Sequence, residues 1–243
     1  MVWGMEIPST FGDFWPRGGY EGLEDNWAKR LDAYFNERGA EEKAVMLAEL
    51  RKAFLPYSIY VSKKLKSEPG SKVDGKGFPF LPVEPFEVPE FYQAEKSSTS
   101  LGSLIALNYG ILAVDEKLKA IIERLEPGVH EFFPIGIRMP KGKAYPVKYY
   151  ILLITRYLDS LSIADSKDSA YKSYPDSPGY HTLQRRPPSA MSGLALKKSV
   201  FGDSHLWRER NLNEALTCFS DELHTQAKSE GLRLPKQYKM REV

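Results

Sequence analysis

The run Ile111–Ile137, ILAVDEKLKAIIERLEPGVHEFFPIGI, holds a helix signal followed by a strand signal. Asp115 suits a helix N-cap, because its carboxylate can accept from a free backbone N–H of the first turn. Leu118, Ile121, Ile122 and Leu125 follow at i, i+3, i+4 and i+7, one face of a helix. Pro127 and Gly128 close it. Phe133, Ile135, Ile137 and Met139 then alternate, the pattern of a strand with one buried face. Lys141-Gly142 supplies a turn, and the continuous apolar run Tyr149–Ile154 predicts a central strand. Together they predict a helix followed by a β-hairpin.

The same device recurs in Ser199–Met240, SVFGDSHLWRERNLNEALTCFSDELHTQAKSEGLRLPKQYKM. Ala113-Val114-Asp115-Glu116-Lys117-Leu118, with a helix ending near Gly128, is matched by Cys218-Phe219-Ser220-Asp221-Glu222-Leu223, with a helix ending near Gly231. Ser220 takes the capping position of Asp115. Chance similarity of cap-and-helix grammar explains the match as well as a pseudo-repeat does, and there is no tandem array.

Upstream, residues 1–23 read as an irregular or strand-containing arm. Trp27, Leu31, Tyr34 and Phe35 line one face of a helix over 24–38, stopped at Gly39. A second helix over 40–54 carries Glu41 and Glu42 in its first turn, where they complement the helix dipole. The pair predicts a helical hairpin. Ser58–Val61 reads as a short strand, and 67–77 as a loop. The Pro-rich run 78–92 reads as an extended connector or edge segment, because proline cannot donate to a sheet ladder. Lys96–Ser100 is a candidate boundary, giving an N-terminal helical region over 1–100 and a second unit over 101–243, unless the two form one continuous domain. Residues 166–193 read as a long surface loop, Leu194–Phe201 and Thr217–Phe219 as strands, and the basic end LPKQYKMREV as exposed. The expected fold class is α+β: an N-terminal helical hairpin plus a C-terminal mixed or antiparallel sheet flanked by helices.

The chain has 243 residues, 42% hydrophobic and 27% charged, enough for one large domain or two small ones. Its net charge of +2 demands neither nucleic acid nor membrane as a partner. Residues 1–100 carry 13 basic and 16 acidic groups, and residues 101–243 carry 21 and 16. A lone cysteine, Cys218, excludes an internal disulfide framework. No run is long enough to span a membrane, and the start lacks the pattern of a secretory signal. The expected location is a reducing cytoplasm.

The search for chemistry returns little. The four histidines form no HxxxH pair, and Asp203-x-His205 is the tightest metal candidate, with a turn aspartate beside a hydrogen-bonded imidazole as the plainer reading. Cys218 reads as a small buried hydrophobe rather than a nucleophile. The run 70–77, GSKVDGKG, lacks the Gly-Lys-Ser/Thr ending of a phosphate loop. Arg185-Arg186, Lys197-Lys198 and the basic end offer phosphate contacts, but no stacking motif accompanies them. Trp207, with His205 and Arg208 beside it, is either a binding hot spot or a core indole with Arg208 stacked over it. No residue qualifies as catalytic, and no cofactor or metal is expected.

Four segments carry a resemblance: LNYGILAVDEKLKAIIERLEPGVHEFFPIGI, YLDSLSIADS, SVFGDSHLWR and FSDELHTQAKSEGLRLPKQYKM. In this order the chain, over about residues 104–240, resembles immunity family eleven of the bacterial polymorphic toxin systems. FGDSHLWR is the least generic of these motifs. The resemblance implies a non-enzymatic protein that binds a co-encoded toxin domain and blocks it by stoichiometric occlusion. Toxins paired with the family are diverse and often nucleases. The candidate contacts are Trp207, Arg208, Asp203 and His205, with the loop around Tyr174, Tyr180 and Arg185. Against a basic nuclease the acidic stretch Glu21–Glu49 is the better surface. Two other readings remain at this point: a small metal-dependent hydrolase using Asp203 and His205, and a nucleic-acid-binding regulatory module.

Overall fold

The computed structural model describes residues 1–50, 56–66, 82–173, 179, 181–184, 187–212 and 216–243. The fold is mixed α and β. In chain order its elements begin with β1 (Val2–Met5), β2 (Gly18–Tyr20), α1 (Asn26–Glu37), α2 (Ala40–Leu50) and α3 (Tyr57–Leu65). Next come β3 (Phe91–Ala94), β4 (Leu104–Ala106), β5 (Leu112–Asp115), α4 (Glu116–Leu125), β6 (Glu131–Arg138), β7 (Tyr149–Leu153) and β8 (Tyr157–Leu158). The last are β9 (Tyr171–Ser173), β10 (His181–Leu183), α5 (Pro187–Gly193), β11 (Ala195–Leu196), α6 (Lys198–Phe201), β12 (Leu206–Glu209), β13 (Leu216–Ser220), α7 (Asp221–Ser229) and β14 (Gln237–Glu242).

Among the described residues two six-stranded sheets form, in the orders β2-β3-β6-β7-β5-β4 and β11-β14-β1-β13-β12-β8, with β9 and β10 as a separate pair. Strands from the first hundred residues enter both. β1 lies between β13 and β14, antiparallel to each. β2 and β3 extend the other sheet beyond β6.

Strand alternation divides the core into three. On β7, Tyr149 and Ile151 face one cluster with α1 and α3, shared with Ile135 and Ile137 of β6. Leu152 faces the opposite cluster with Leu112 and Val114 of β5. That second cluster also holds Leu206 of β12, Phe219 of β13, and Leu118, Ile121 and Leu223 from α4 and α7, so it joins the two sheets. The third covers the far face of the β1 sheet with Val2, Trp207, Cys218 and Met240.

The two cap-and-helix devices are both formed, and they pack against each other through α4 and α7. Asp115 Oδ1 accepts from Leu118 N at 2.8 Å, and Ser220 Oγ accepts from Leu223 N at 3.1 Å. Gly128 and Gly231 take φ of 71° and 67°, the left-handed backbone that glycine adopts without a Cβ clash. The β-hairpin forms as β6 and β7, antiparallel from Glu131↔Leu153 to Ile135↔Tyr149. Pro134 is tolerated in an interior strand because β3 joins β6 only from Gly136 onward.

Several segments depart from expectation. Ser58–Val61 lies in helix α3, where Tyr57, Ser58, Val61, Ser62 and Leu65 are buried. That is one helical face, which a short apolar run cannot distinguish from a strand. Asp32 of α1 fastens the start of α3, accepting from Ser58 N at 3.0 Å and Ser58 Oγ at 3.2 Å. Residues 166–193 include the β9–β10 pair and α5, and α5 packs on β14. Leu194–Phe201 is a two-residue strand followed by helix α6. The basic end enters the sheet as β14, with Met240 turned into the core and Lys239, Arg241 and Glu242 exposed. The 67–77 loop and its GSKVDGKG motif lie outside the described residues.

Candidate partner-binding surface

The FGDSHLWR motif runs from α6 into β12. Alternation along β12 sends its side chains to opposite faces. Trp207 is fully buried, stacked on Phe201 with centroids 5.0 Å apart, and donates from Nε1 to Ser160 Oγ at 3.3 Å. Its stacking partner is Phe201 and not Arg208. Glu209 turns the same way and is also fully buried. It accepts from Ser160 N at 2.8 Å, Ser160 Oγ at 2.6 Å and Asn211 N at 2.9 Å. Burial pushes its carboxyl above the usual range despite those bonds.

Arg208 turns to the other face, beside Thr217 and Tyr157 in the strand registers, and is only 5% exposed. Its Nε is buried without a hydrogen-bond partner among the described residues. Asp203 is exposed in the turn after α6. His205 is half-buried; its Nδ1 lies 2.9 Å from Ser220 Oγ and 3.9 Å from Glu222 Oε2. The motif thus keeps Asp203 and His205 near solvent and sends Trp207 and Arg208 into opposite sides of the sheet. Tyr174, Tyr180 and Arg185 lie outside the described residues. Among those residues no three His, Cys, Asp or Glu side chains group as a metal site requires.

Glu126 fixes this motif. It follows α4, and its side chain is 3% exposed. Oε1 accepts from His205 N at 3.0 Å and lies 2.8 Å from Arg156 Nη1. Oε2 accepts from Leu206 N at 2.9 Å and lies 2.9 Å from His130 Nε2. Burial raises this carboxyl, but the bonds from His130 and the His205 amide, with the charges of His130 and Arg156, outweigh it and hold it below its ordinary value. Arg156 also donates to Ser204 Oγ at 2.6 Å. Nothing in the sequence pattern marks Glu126, which sits past the periodic face of its helix.

A second locus, inside the acidic stretch, is built differently. Four non-glycine residues among the described ones have positive φ, and three of them converge here: Glu21 (52°), Asp25 (55°) and Tyr109 (62°). Asp25 precedes α1, yet its side chain makes no capping bond. Instead Oδ2 accepts from the Tyr109 hydroxyl, while Oδ1 is buried without a hydrogen-bond partner among the described residues. Tyr109 lies parallel to Tyr20 at 6.2 Å and is 40% exposed. Burial, and then the bond to Asp25, raise its hydroxyl pKa. Asn108 fastens the same turn, accepting at its carbonyl from Tyr20 Oη at 2.7 Å and at Oδ1 from Tyr92 Oη at 3.1 Å.

Left-handed backbone at a non-glycine residue costs about 1–3 kcal/mol and persists where the surroundings over-determine it. Here the result is an exposed aromatic with Leu23, 63% exposed, and the carboxylates of Glu24 and Asp25 nearby in the chain. Arg30 offsets part of the charge through its 2.9 Å ion pair with Glu21. The helical face of Trp27, Leu31, Tyr34 and Phe35 carries no sign of Asp25 turning to Tyr109, which only the fold reveals.

The model of the immunity protein family Imm11 matches residues 24–239. This chain belongs to the Imm11 immunity protein family. The match reaches well beyond the 104–240 span of the resemblance and takes in α1, α3 and β3. It includes both loci: the Glu126–His205 junction and all but the first residues of the strained turn. A search of the curated proteins gives no match to the chain. Among the described residues no helix is long and apolar enough to cross a membrane.

Proposed function

We propose that this Imm11 protein binds a co-encoded toxin domain and neutralises it by stoichiometric occlusion, without chemistry of its own. The family match over residues 24–239 carries this reading. The toxin-facing surface we assign is the strained turn: Leu23, Glu24 and Asp25 with Tyr109. Three properties support it. An exposed aromatic and an exposed leucine supply apolar anchor area. Acidic groups around them suit a basic partner, as many nucleases are. The left-handed backbone at Asp25 and Tyr109 sacrifices a helix cap to present them, the kind of local cost that accompanies function. Asp203 and His205, at the edge of the second sheet, are a second candidate contact.

Co-expression with the C-terminal domain of the neighbouring toxin gene tests the reading. A stable complex and restored growth support it. Two folded proteins that neither associate nor restore growth overturn it.

A further inference from the structure

We propose that the slot between β13 and β14 is a strand-binding site, shaped for a closing strand that would follow β14 and filled instead by β1, Val2–Met5. Its ligand is an extended segment with an aromatic residue and then a glycine between two apolar ones. The site does not rest on the toxin reading.

The slot is recognised by comparing the two sheets. In the first, Leu104 of β4 stands opposite Val114 of β5, Val114 opposite Tyr150 of β7, and Tyr150 opposite Pro134 of β6, all antiparallel. β3 then joins β6 in parallel, with Phe91 beside Gly136. In the second, Leu206 of β12 stands opposite Phe219 of β13, Phe219 opposite Trp3 of β1, and Trp3 opposite Lys239 of β14, again all antiparallel. β11 then joins β14 in parallel, with Ala195 beside Arg241. Order, direction and spacing agree strand for strand, and α4 and α7 leave from equivalent ends of β5 and β13. Finer contacts agree too. Asp115 N donates to Ser103 O at 2.8 Å, as Ser220 N does to His205 O at 2.9 Å. Ala106 N donates to Phe14 O at 2.8 Å, as Arg208 N does to Arg156 O at 2.9 Å. Each sheet also holds the residue after the other's helix: Ser103 N donates to Arg233 O at 2.7 Å, and its counterpart His205 N to Glu126 Oε1 at 3.0 Å. Such reciprocal contacts are those of a two-fold dimer, so the chain holds two copies of one unit.

One strand breaks the chain order. In the first unit β7 follows β6 through residues 139–148. In the second its counterpart, β1, comes from the far end of the sequence. It lies where such a hairpin would deliver it, since the Met1 ammonium pairs with Glu242 Oε1 at 2.7 Å. The slot is also selective. Val2 and Met5 are 0% and 1% exposed. Trp3 stacks on His224 with centroids 3.8 Å apart, while its counterpart Tyr150 lies under Lys119 Nζ, 5.2 Å away, at the matching turn of α4. At Gly4 a Cβ would come within 3.0 Å of Met240 Sδ and 3.2 Å of its Cε. Met240 is itself buried and has little room to yield, so the slot refuses bulk at this position.

Two experiments, each keeping every residue, test this. In the first, the chain is reordered to run from Thr10 to Val243, through a link as long as 139–148, into Met1–Ser9. It should fold and melt at the wild-type temperature, and a reordered chain that does not fold would overturn the proposal. In the second, a protease site is inserted between Ser9 and Thr10, both exposed, and the folded protein is cut there. The segment 1–9 should stay with the body through gel filtration and exchange saturably with a labelled peptide of the same sequence, as donated strands do. Gly4→Val in the segment should weaken its retention about tenfold or more, the effect of overpacking a filled site. Loss of the segment on cutting, or equal retention with Gly4→Val, would overturn the proposal.

Discussion

Glu126 accepts the backbone N–H of His205 at 3.0 Å, a bond between the two most informative stretches of the sequence. It is one of four contacts that gather a helix end, the start of β12 and the side chains of His130 and Arg156 around one buried carboxylate.

Removing that carboxylate leaves two backbone donors, His205 N and Leu206 N, without their acceptor and leaves Arg156 with Ser204 Oγ alone. Glu126→Ala should therefore destabilise the protein by about 3–5 kcal/mol, the usual consequence of breaking a buried charged network. Glu126→Gln keeps one acceptor and should cost less. The sign of the pH dependence follows from the carboxyl being held below its ordinary value. Such a group stabilises the fold above its unfolded-state pKa, about 4.3, and the benefit is lost as pH falls through the lower folded value. Urea unfolding at neutral pH and in acid should show the gap between wild type and Glu126→Gln closing only in the acid.

The paired caps allow an additivity test. Asp115→Ala and Ser220→Ala should each cost about 1 kcal/mol, the usual worth of an N-cap side chain. Because α4 and α7 are in contact, the double variant should depart from the sum. Thermal unfolding of the four proteins measures the coupling, and strict additivity would show that the two devices do not support each other.

Trp207 and Arg208 are adjacent but should respond in opposite ways. Trp207→Ala removes a fully buried indole and should cost about 3–5 kcal/mol. Arg208→Met exchanges a buried guanidinium, whose Nε has no partner among the described residues, for an apolar chain. It should leave stability unchanged or raise it by about 1 kcal/mol, because desolvation of the charge is relieved. Chemical denaturation distinguishes the two.

At the strained turn, Glu24 has a side chain 81% exposed, so Glu24→Lys should leave unfolding unchanged. Its effect belongs in the association rate with a basic toxin, several-fold slower at low salt and fading as salt screens it. Leu23→Ala and Tyr109→Ala should instead raise the dissociation rate, as apolar anchors do. Stopped-flow binding at two ionic strengths separates them, and unchanged kinetics in all three variants would move the interface elsewhere.

What could be read from the chain follows from how local each signal is. Both caps, both closing glycines and the β6–β7 hairpin depend on residues within a few positions of one another. Asp115 and Leu118, or Lys141 and Gly142, carry their meaning in place. α3 was missed because β-branched Ile59 and Val61 hide a helical face that only burial against α1 reveals. β14 was missed because an exposed strand with a single buried residue, Met240, has no hydrophobic period to see. The site was harder still. Glu126 gains its role from a segment far along the chain, and the strain at Asp25 depends on Tyr109 arriving from another turn. Neither has a signature in its neighbours.

Titrating the purified toxin domain's activity with increasing immunity protein tests the central claim most directly. Stoichiometric occlusion predicts a linear fall that reaches zero at one immunity protein per toxin and then stays flat. Complete loss of activity at a small fraction of one equivalent would mean that the protein acts as a catalyst, and undiminished activity at excess would mean that it does not act on this toxin; either would contradict the account.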